Sequence, residues 1–264
     1  MKKNSIYLIS IAFTICLLTA CEKVISVDLN TSSPAIVIQG NVYDHPGPYI
    51  VKISKTVDFN EANTFPPVTN AKVSISDNAG NSETLTEIED GTYATANLAG
   101  VVGRTYTLNV ESNGKTYTAS STMPQAVNID RIYFGKSAFN DVALTTIEFK
   151  DPQDIDNYYR VIQYVNDTLD TGIHIGNDQL SPGQTISFSL SYTTEDGENK
   201  LISGDKITLY LECIDKSIYE YFRTSRTNYG QSASPANPVS NISNGALGYF
   251  SACSIRQASI FYKK

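Results

Sequence analysis

Apolar and polar residues alternate with a period of two in short segments that recur along most of this chain. Residues 35–43 (AIVIQGNVY) and 104–112 (RTYTLNVES) are two such segments. This period is typical of half-buried strands, because successive side chains of a strand point to opposite faces of its sheet. Turn-forming residues separate the segments at intervals of roughly 8–12 residues, as in antiparallel sandwiches. The pattern therefore predicts an all-β protein.

The strand-like segments fall into two groups. We predict two antiparallel Ig-like sandwich domains, over residues 35–124 and 125–264, with the boundary after Met123-Pro124. In the first domain, Asn113-Gly114 joins two alternating segments, and this dipeptide favours a tight hairpin because both positions tolerate positive φ. In the second domain, the strand predicted over 205–214 places Cys213 on its apolar face.

The period changes near Ser217. Ser217 stands three residues before Glu220, which is the spacing of a capping box. Ile218, Tyr221 and Phe222 then recur at helical spacing. The pattern predicts a short amphipathic helix over about 217–227 that packs across the second sandwich.

The N-terminus is typical of an exported protein. Lys2 and Lys3 precede a mostly apolar run over 6–18, which is shorter than the roughly 20 residues of a membrane-spanning helix. Leu18-Thr19-Ala20-Cys21 resembles the lipobox of bacterial lipoproteins. The resemblance implies a signal peptide over 1–20, an acylated thiol at Cys21, and a lipidated tether over 21–34. An ordinary signal peptide is the alternative.

Composition and motifs exclude several functional classes. The net charge is −7 at pH 7, and Lys and Arg form no basic stripe, so we expect no nucleic-acid partner. His45 and His174 lie in different sequence surroundings and are interpreted as turn residues. The chain has no H-E-x-x-H, G-x-S-x-G or phosphate-loop motif. We therefore predict a protein that is not an enzyme and needs no cofactor.

Two groups of residues leave alternatives open. Asp151, Asp154 and Asp156 are a weak calcium candidate, but the EF-hand glycine and distal glutamate are missing and Pro152 favours a turn. Once the lipobox cysteine and the signal peptide are set aside, Cys213 and Cys253 remain. An oxidising compartment permits a disulfide between them, and two buried free thiols are the alternative.

The segment over 228–245 is rich in Gly, Ser, Asn and Pro and has no period. Loops of this length in compact domains are usually functional or disordered. Tyrosine is favoured at interfaces because its ring has a polar end. We therefore predict that this loop and the preceding helix contact a membrane partner, with a linker role as the alternative. The residues expected in that contact are Tyr219, Tyr221, Tyr229 and Val239.

Several segments together resemble a known family. They are CEKVISVDL (21–29), VTNAKVSISDNAG (68–80), FKDPQDIDNYYRV (149–161), GDKITLYLECIDKSIYEYFRT (204–224) and NPVSNISNGALGYF (237–250). The chain is similar over its whole mature length to a Bacteroidota lipoprotein family known only as a domain of unknown function, DUF4249. The resemblance implies an outer-membrane lipoprotein, often encoded beside a TonB-dependent receptor. It implies no chemistry.

We therefore expect a lipid-anchored outer-membrane protein that is a binding or accessory component of a TonB-dependent uptake system. The alternative is a structural or adhesive surface lipoprotein. The sequence leaves open the ligand and whether the protein faces the periplasm or the cell surface.

Overall fold

A computed structural model describes residues 34–57, 64–138, 142–153, 155–227 and 236–264. The predicted signal peptide, Cys21 and the predicted tether up to residue 33 lie outside these ranges. The described ranges contain 18 strands and one helix, which we call α1, and this confirms the all-β prediction. In these ranges, no helix has the length and apolar character needed to cross a membrane.

The strands of the N-terminal half form two sheets. They are β1 (Ile36–Tyr43), β2 (Ile50–Lys55), β3 (Lys72–Asp77), β4 (Ser82–Thr84), β5 (Thr86–Glu89), β6 (Thr92–Ala94), β7 (Thr105–Ser112) and β8 (Lys115–Thr122). One sheet has the order β4-β3-β7-β8, and the other contains β1-β2-β6-β5. Their inner faces share one core, which includes Ile38 and Val51 from one sheet and Ile75 and Leu108 from the other. This is the predicted sandwich arrangement.

The Asn113-Gly114 hairpin is confirmed. Asn113 has φ 49° and Gly114 has φ 72°. Ser112 of β7 pairs with Lys115 of β8, so only these two residues form the turn.

The C-terminal half forms a second sandwich. Its elements are β9 (Arg131–Lys136), β10 (Ala143–Lys150), β11 (Tyr158–Val165), β12 (Thr168–Leu169), β13 (His174–Asn177), β14 (Thr185–Leu190), β15 (Tyr192–Thr194), β16 (Gly197–Asn199), β17 (Lys206–Ile214), α1 (Lys216–Thr227) and β18 (Leu247–Phe261). The sheet β14-β10-β9 packs on the sheet that contains β11, β17 and β18. Phe149 and Tyr159 meet edge to face in the core between these sheets, with ring centroids 4.7 Å apart.

The last strand belongs to both sandwiches. Residues 247–253 of β18 pair in parallel with β1, and residues 254–261 pair antiparallel with β17. Phe250 and Ala252 are thereby buried in the N-terminal core. The described residues form one compact unit, so the predicted boundary at 124/125 does not separate two independent domains. The reason is that one nine-stranded sheet crosses that boundary through β18.

The two cysteines of these strands are free and buried, so the structure has the two thiols of the alternative and not the disulfide. Cys213 pairs in register with Ser254 of β18, and Cys253 is the residue before Ser254 in that strand. Neighbouring residues in a strand point to opposite faces. Cys213 accordingly packs in the sandwich core, whereas Cys253 packs beneath α1. Burial raises the pKa of Cys213 to about 11 and also raises the pKa of Cys253, which keeps both thiols protonated at neutral pH.

A tyrosine-lined candidate binding cleft beside helix α1

Helix α1 follows β17 directly, and its N-cap is Asp215. The Asp215 Oδ1 atom accepts hydrogen bonds from the Ser217 hydroxyl (2.6 Å) and the Ile218 amide (3.1 Å). An aspartate at this position satisfies an amide that lacks a partner within the helix. The predicted helix is confirmed, but the predicted capping box is wrong. Glu220 instead forms an ion pair with Arg223, with 2.6 Å between Oε2 and Nη2.

One side of α1 packs on the sheet. Ile218 and Phe222 are buried there, in a cluster that also contains Ile214 and Cys253. Tyr219 lies on a neighbouring flank and is partly buried. This division follows from the helical spacing of the apolar residues.

Tyr219 helps to form a cleft between α1, the start of β11 and the turn after β13. Its ring centroid lies 5.2 Å from that of Tyr158, with an angle of 41° between the two rings. The cleft has a volume of about 370 Å³, within the range of small-molecule sites. It is lined by Asp156, Tyr158, Asn177, Asp178, Gln179, Lys216, Tyr219 and Glu220. We call it the α1 cleft.

The α1 cleft is acidic. Asp156 is exposed, whereas Asp178 is buried. Burial raises the pKa of Tyr158, and the negative charges of Asp156, Asp178 and Glu220 raise it further. The Tyr158 phenol therefore stays protonated and can donate a hydrogen bond. The cleft offers aromatic rings together with amides and carboxylates, a combination suited to a ligand that carries cationic or hydrogen-bond-donating groups.

Tyr221, which was also predicted to contact a partner, is partly buried and packs against other aromatic residues of the protein. Its ring centroid is 4.8 Å from that of Tyr249 and 5.2 Å from that of Phe222. The helix here covers a buried ion pair between Arg160 Nη1 and Glu212 Oε2, which are 3.1 Å apart. The Arg160 guanidinium carbon lies 4.0 Å from the centre of the Phe222 ring. Tyr221 therefore contributes to the packing between α1 and β18.

Val239 is exposed, but it contacts α1 at a different place from Tyr219. Its amide donates to Thr224 Oγ1 in the last turn of α1, at 2.9 Å. Thr224 is five positions after Tyr219, which places the two residues about 140° apart around the helix axis. Val239 and Tyr219 therefore occupy different flanks of α1. Tyr229 lies outside the described residues.

The described end of the predicted loop is attached to β8 and β18. The Ser243 amide donates to the Thr118 carbonyl of β8 at 2.8 Å. The Phe250 amide of β18 donates to Asn241 Oδ1 at 3.0 Å, and Asn241 Nδ2 donates to the Phe250 carbonyl at 2.8 Å. Residues 240–246 therefore cover the edge of the N-terminal sandwich.

The calcium candidate does not form in the described part of the chain. Asp151 is buried and accepts hydrogen bonds from the Tyr159 hydroxyl and, at 2.8 Å, from the Gly183 amide. Asp156 lines the α1 cleft, and Asp154 lies outside the described residues. Among the described residues, no group of three or more His, Cys, Asp or Glu side chains is arranged to hold a metal. Asp151 instead connects Tyr159 of β11 with the turn at Gly183 before β14.

The histidines lie apart from the α1 cleft. His45 is exposed in a turn, where its Nδ1 lies 2.9 Å from the Pro46 carbonyl oxygen. His174 begins β13, so the expectation of a turn residue is wrong there, and its Nε2 lies 2.8 Å from Asp170 Oδ2. Asp170 also accepts hydrogen bonds from Gln163 (3.0 Å) and the Thr193 amide (3.1 Å). Asp170 therefore organises the surrounding strands, a role that the sequence analysis missed.

A family model for a domain of unknown function, DUF4249, matches residues 22–259. The chain belongs to this family. The match begins one residue after Cys21 and includes all the elements that build the α1 cleft. The expected DUF4249 membership is thereby confirmed, and the family description assigns no activity.

Comparison with other proteins adds no function to this DUF4249 chain. No curated protein sequence matches it. Among solved structures, it is similar to the Yersinia pseudotuberculosis adhesin InvE, with 16% sequence identity and a TM-score of 0.22. The similarity covers 67% of this chain and 55% of that chain. At this TM-score, the likeness supports no statement about adhesion.

Proposed function

We propose that this DUF4249 protein is a non-enzymatic, lipid-anchored component of an outer-membrane TonB-dependent uptake system. The lipobox-like segment that ends at Cys21 supports the anchor, since acylation of this thiol would hold the chain at a membrane. The family resemblance noted above supports the association with a receptor. The protein would bind a ligand or contact the receptor on either the periplasmic or the cell-surface side.

The observation that carries the proposed binding role is the α1 cleft. Tyrosine rings supply a large contact area at a low cost in side-chain entropy, and they are enriched in interfaces. Tyr158 and Tyr219 contact each other, and the rigid sheet beneath α1 holds both in place. The exposed Asp156 at the same cleft favours a partner surface that carries Lys or Arg.

Co-purification from the native host tests this proposal. The full chain with Tyr219→Ala and Asp156→Lys should recover at least about tenfold less of a large β-barrel receptor, a loss of about 1.4 kcal/mol in binding. The matched control is Tyr210→Ala with Asp196→Lys, which changes a tyrosine of β17 and an exposed aspartate outside the cleft. The control should recover as much receptor as the unchanged chain.

Cys21→Ala tests the anchor separately. This variant should move from the membrane fraction to the soluble fraction, because it lacks the thiol that would carry lipid. If it stays with the membrane, the lipid anchor is disproved. If no receptor co-purifies with the unchanged chain, the uptake role is wrong and the structural or adhesive alternative gains support.

A further inference from the structure

The C-terminal sandwich contains a second cavity, and none of its described lining residues belongs to α1. Its volume is about 610 Å³, within the range of small-molecule sites. It lies between the end of β9, the start of β10 and the residues that follow β18. Its lining residues are Phe134, Gly135, Lys136, Val142, Ala143, Lys200, Leu201, Tyr262, Lys263 and Lys264. We call it the lysine cavity.

The charge of the lysine cavity contrasts with that of the whole chain. The chain has 27 acidic and 20 basic residues, yet the lining includes three exposed lysines, Lys200, Lys263 and Lys264. The ammonium groups of Lys200, Lys263 and Lys264 repel one another where they share this opening, so a bound anion would be favoured there. Lysine also binds carboxylate, phosphate and sulfonate groups as a compact point charge.

One wall of the lysine cavity is apolar and held in place by packing. Phe134 and Tyr262 meet edge to face, with ring centroids 4.9 Å apart, and Leu201 packs against the same core. Two backbone hydrogen bonds of 2.8 Å hold Tyr262 to the turn at Gly204 and Asp205. The apolar wall therefore exists before any ligand binds, which lowers the cost of ordering the site.

We propose that the lysine cavity binds a small amphipathic anion, a molecule with an aromatic or branched aliphatic body and one anionic group. The body would lie against Phe134, Leu201 and Tyr262. The anionic group would lie among the ammonium groups of Lys200 and Lys263. This site is separate from the α1 cleft and does not depend on the proposed receptor contact.

Calorimetric titration of the full chain with 1-naphthalenesulfonate tests this site, with uncharged 1-naphthalenemethanol as the comparison ligand. The sulfonate should bind at least tenfold more tightly than the alcohol, because only the sulfonate can pair with lysine. Lys200→Glu with Lys263→Glu should weaken sulfonate binding at least tenfold and change alcohol binding less than twofold. Lys52→Glu with Lys55→Glu on β2 is the matched control, since both lysines are exposed outside the cavity.

Three outcomes would overturn the proposal: no sulfonate binding by the unchanged chain, unchanged binding by the Lys200/Lys263 variant, or an equal loss in the Lys52/Lys55 control. If charge reversal prevents folding, Lys200→Gln with Lys263→Gln provides the same test. That neutral variant should also lose most sulfonate affinity while its thermal midpoint stays near that of the unchanged chain. Retention of full affinity by the folded neutral variant would also disprove the site.

Discussion

Asp77 shows how one side chain can hold a turn together. Its Oδ1 atom accepts hydrogen bonds from the Ala79 amide (3.0 Å) and the Asn81 amide (2.9 Å), and its Oδ2 lies 2.7 Å from Arg104 Nη1. Burial disfavours the charged carboxylate, but the hydrogen bonds from Asn81, Arg104 and Ala79 outweigh burial and lower the pKa of Asp77 to about 2. The charged form is therefore part of the folded state.

We predict that Asp77→Asn lowers the free energy of unfolding at pH 7 by about 2 kcal/mol, because it removes hydrogen bonds to a charged group. The unfolded aspartate has a pKa of about 4, above the folded value, so the stabilisation is present above pH 4. It is lost as the pH falls towards 2. Urea unfolding at pH 7, 4 and 2.5 should show the difference between variant and wild type narrowing.

The control for this prediction is Asp196→Asn, which changes an exposed carboxylate. It should alter stability by less than about 0.5 kcal/mol at each pH. A difference between Asp77→Asn and wild type that stays constant from pH 7 to 2.5 would contradict the assignment of charge to Asp77.

At the scale of secondary-structure elements, the parallel pair of β1 and β18 has a strict steric requirement. Ile38 of β1 lies opposite Gly248 of β18. Gly248 has φ 89°, and a Cβ atom added there would lie 2.0 Å from the Ile38 carbonyl oxygen. The two backbones can approach this closely only because Gly248 has no side chain.

We predict that Gly248→Ala destabilises the protein by about 1–3 kcal/mol more than Gly80→Ala. Gly80 is a matched control because its φ is 90° and its added Cβ would have no atom within 4 Å. Both variants place an alanine at positive φ and have the same backbone cost. The difference between their free energies of unfolding therefore reports the clash with Ile38. Chemical denaturation at equilibrium measures both free energies of unfolding, and equal values would show that β1 and β18 separate without cost.

In the whole molecule, the N-terminal sandwich depends on residues near the C-terminus of the chain, because β18 and the segment before it complete its core. The N-terminal core contains Ile242, Ala246, Phe250 and Ala252 in addition to residues before position 124. Full burial of Phe250 and Ile242 alone contributes about 3–6 kcal/mol. This is a large part of the roughly 5–15 kcal/mol that stabilises a typical domain.

We therefore predict that a chain of residues 34–124 shows no cooperative thermal transition by circular dichroism, whereas residues 34–264 unfold cooperatively. A peptide of residues 239–254 added to the short chain should restore part of the β-sheet signal, because it supplies the missing strand and its core residues. A scrambled peptide of the same composition is the control. Cooperative unfolding of residues 34–124 alone, at the midpoint of the longer chain, would contradict this dependence.

Local sequence patterns predicted most of the longer strands and the helix, but they did not predict β13, where His174 was expected in a turn. Alternation predicted the paired strands, Asn113-Gly114 predicted their hairpin, and helical spacing after residue 216 predicted α1. Tyr219, which was predicted to contact a partner, is partly buried on that helix and lines the α1 cleft. These features depend on residues a few positions apart, whose side-chain directions follow directly from the backbone period.

Long-range pairing determined the rest. Neither the parallel register between β1 and β18 nor the opposite faces of Cys213 and Cys253 follows from local periodicity, because the register depends on which strands meet in the folded core. The α1 cleft likewise brings together Asp156, Asp178 and Tyr219, which belong to three separate segments. Periodicity determines which side of a strand or helix is apolar, whereas tertiary packing determines which other elements that side contacts.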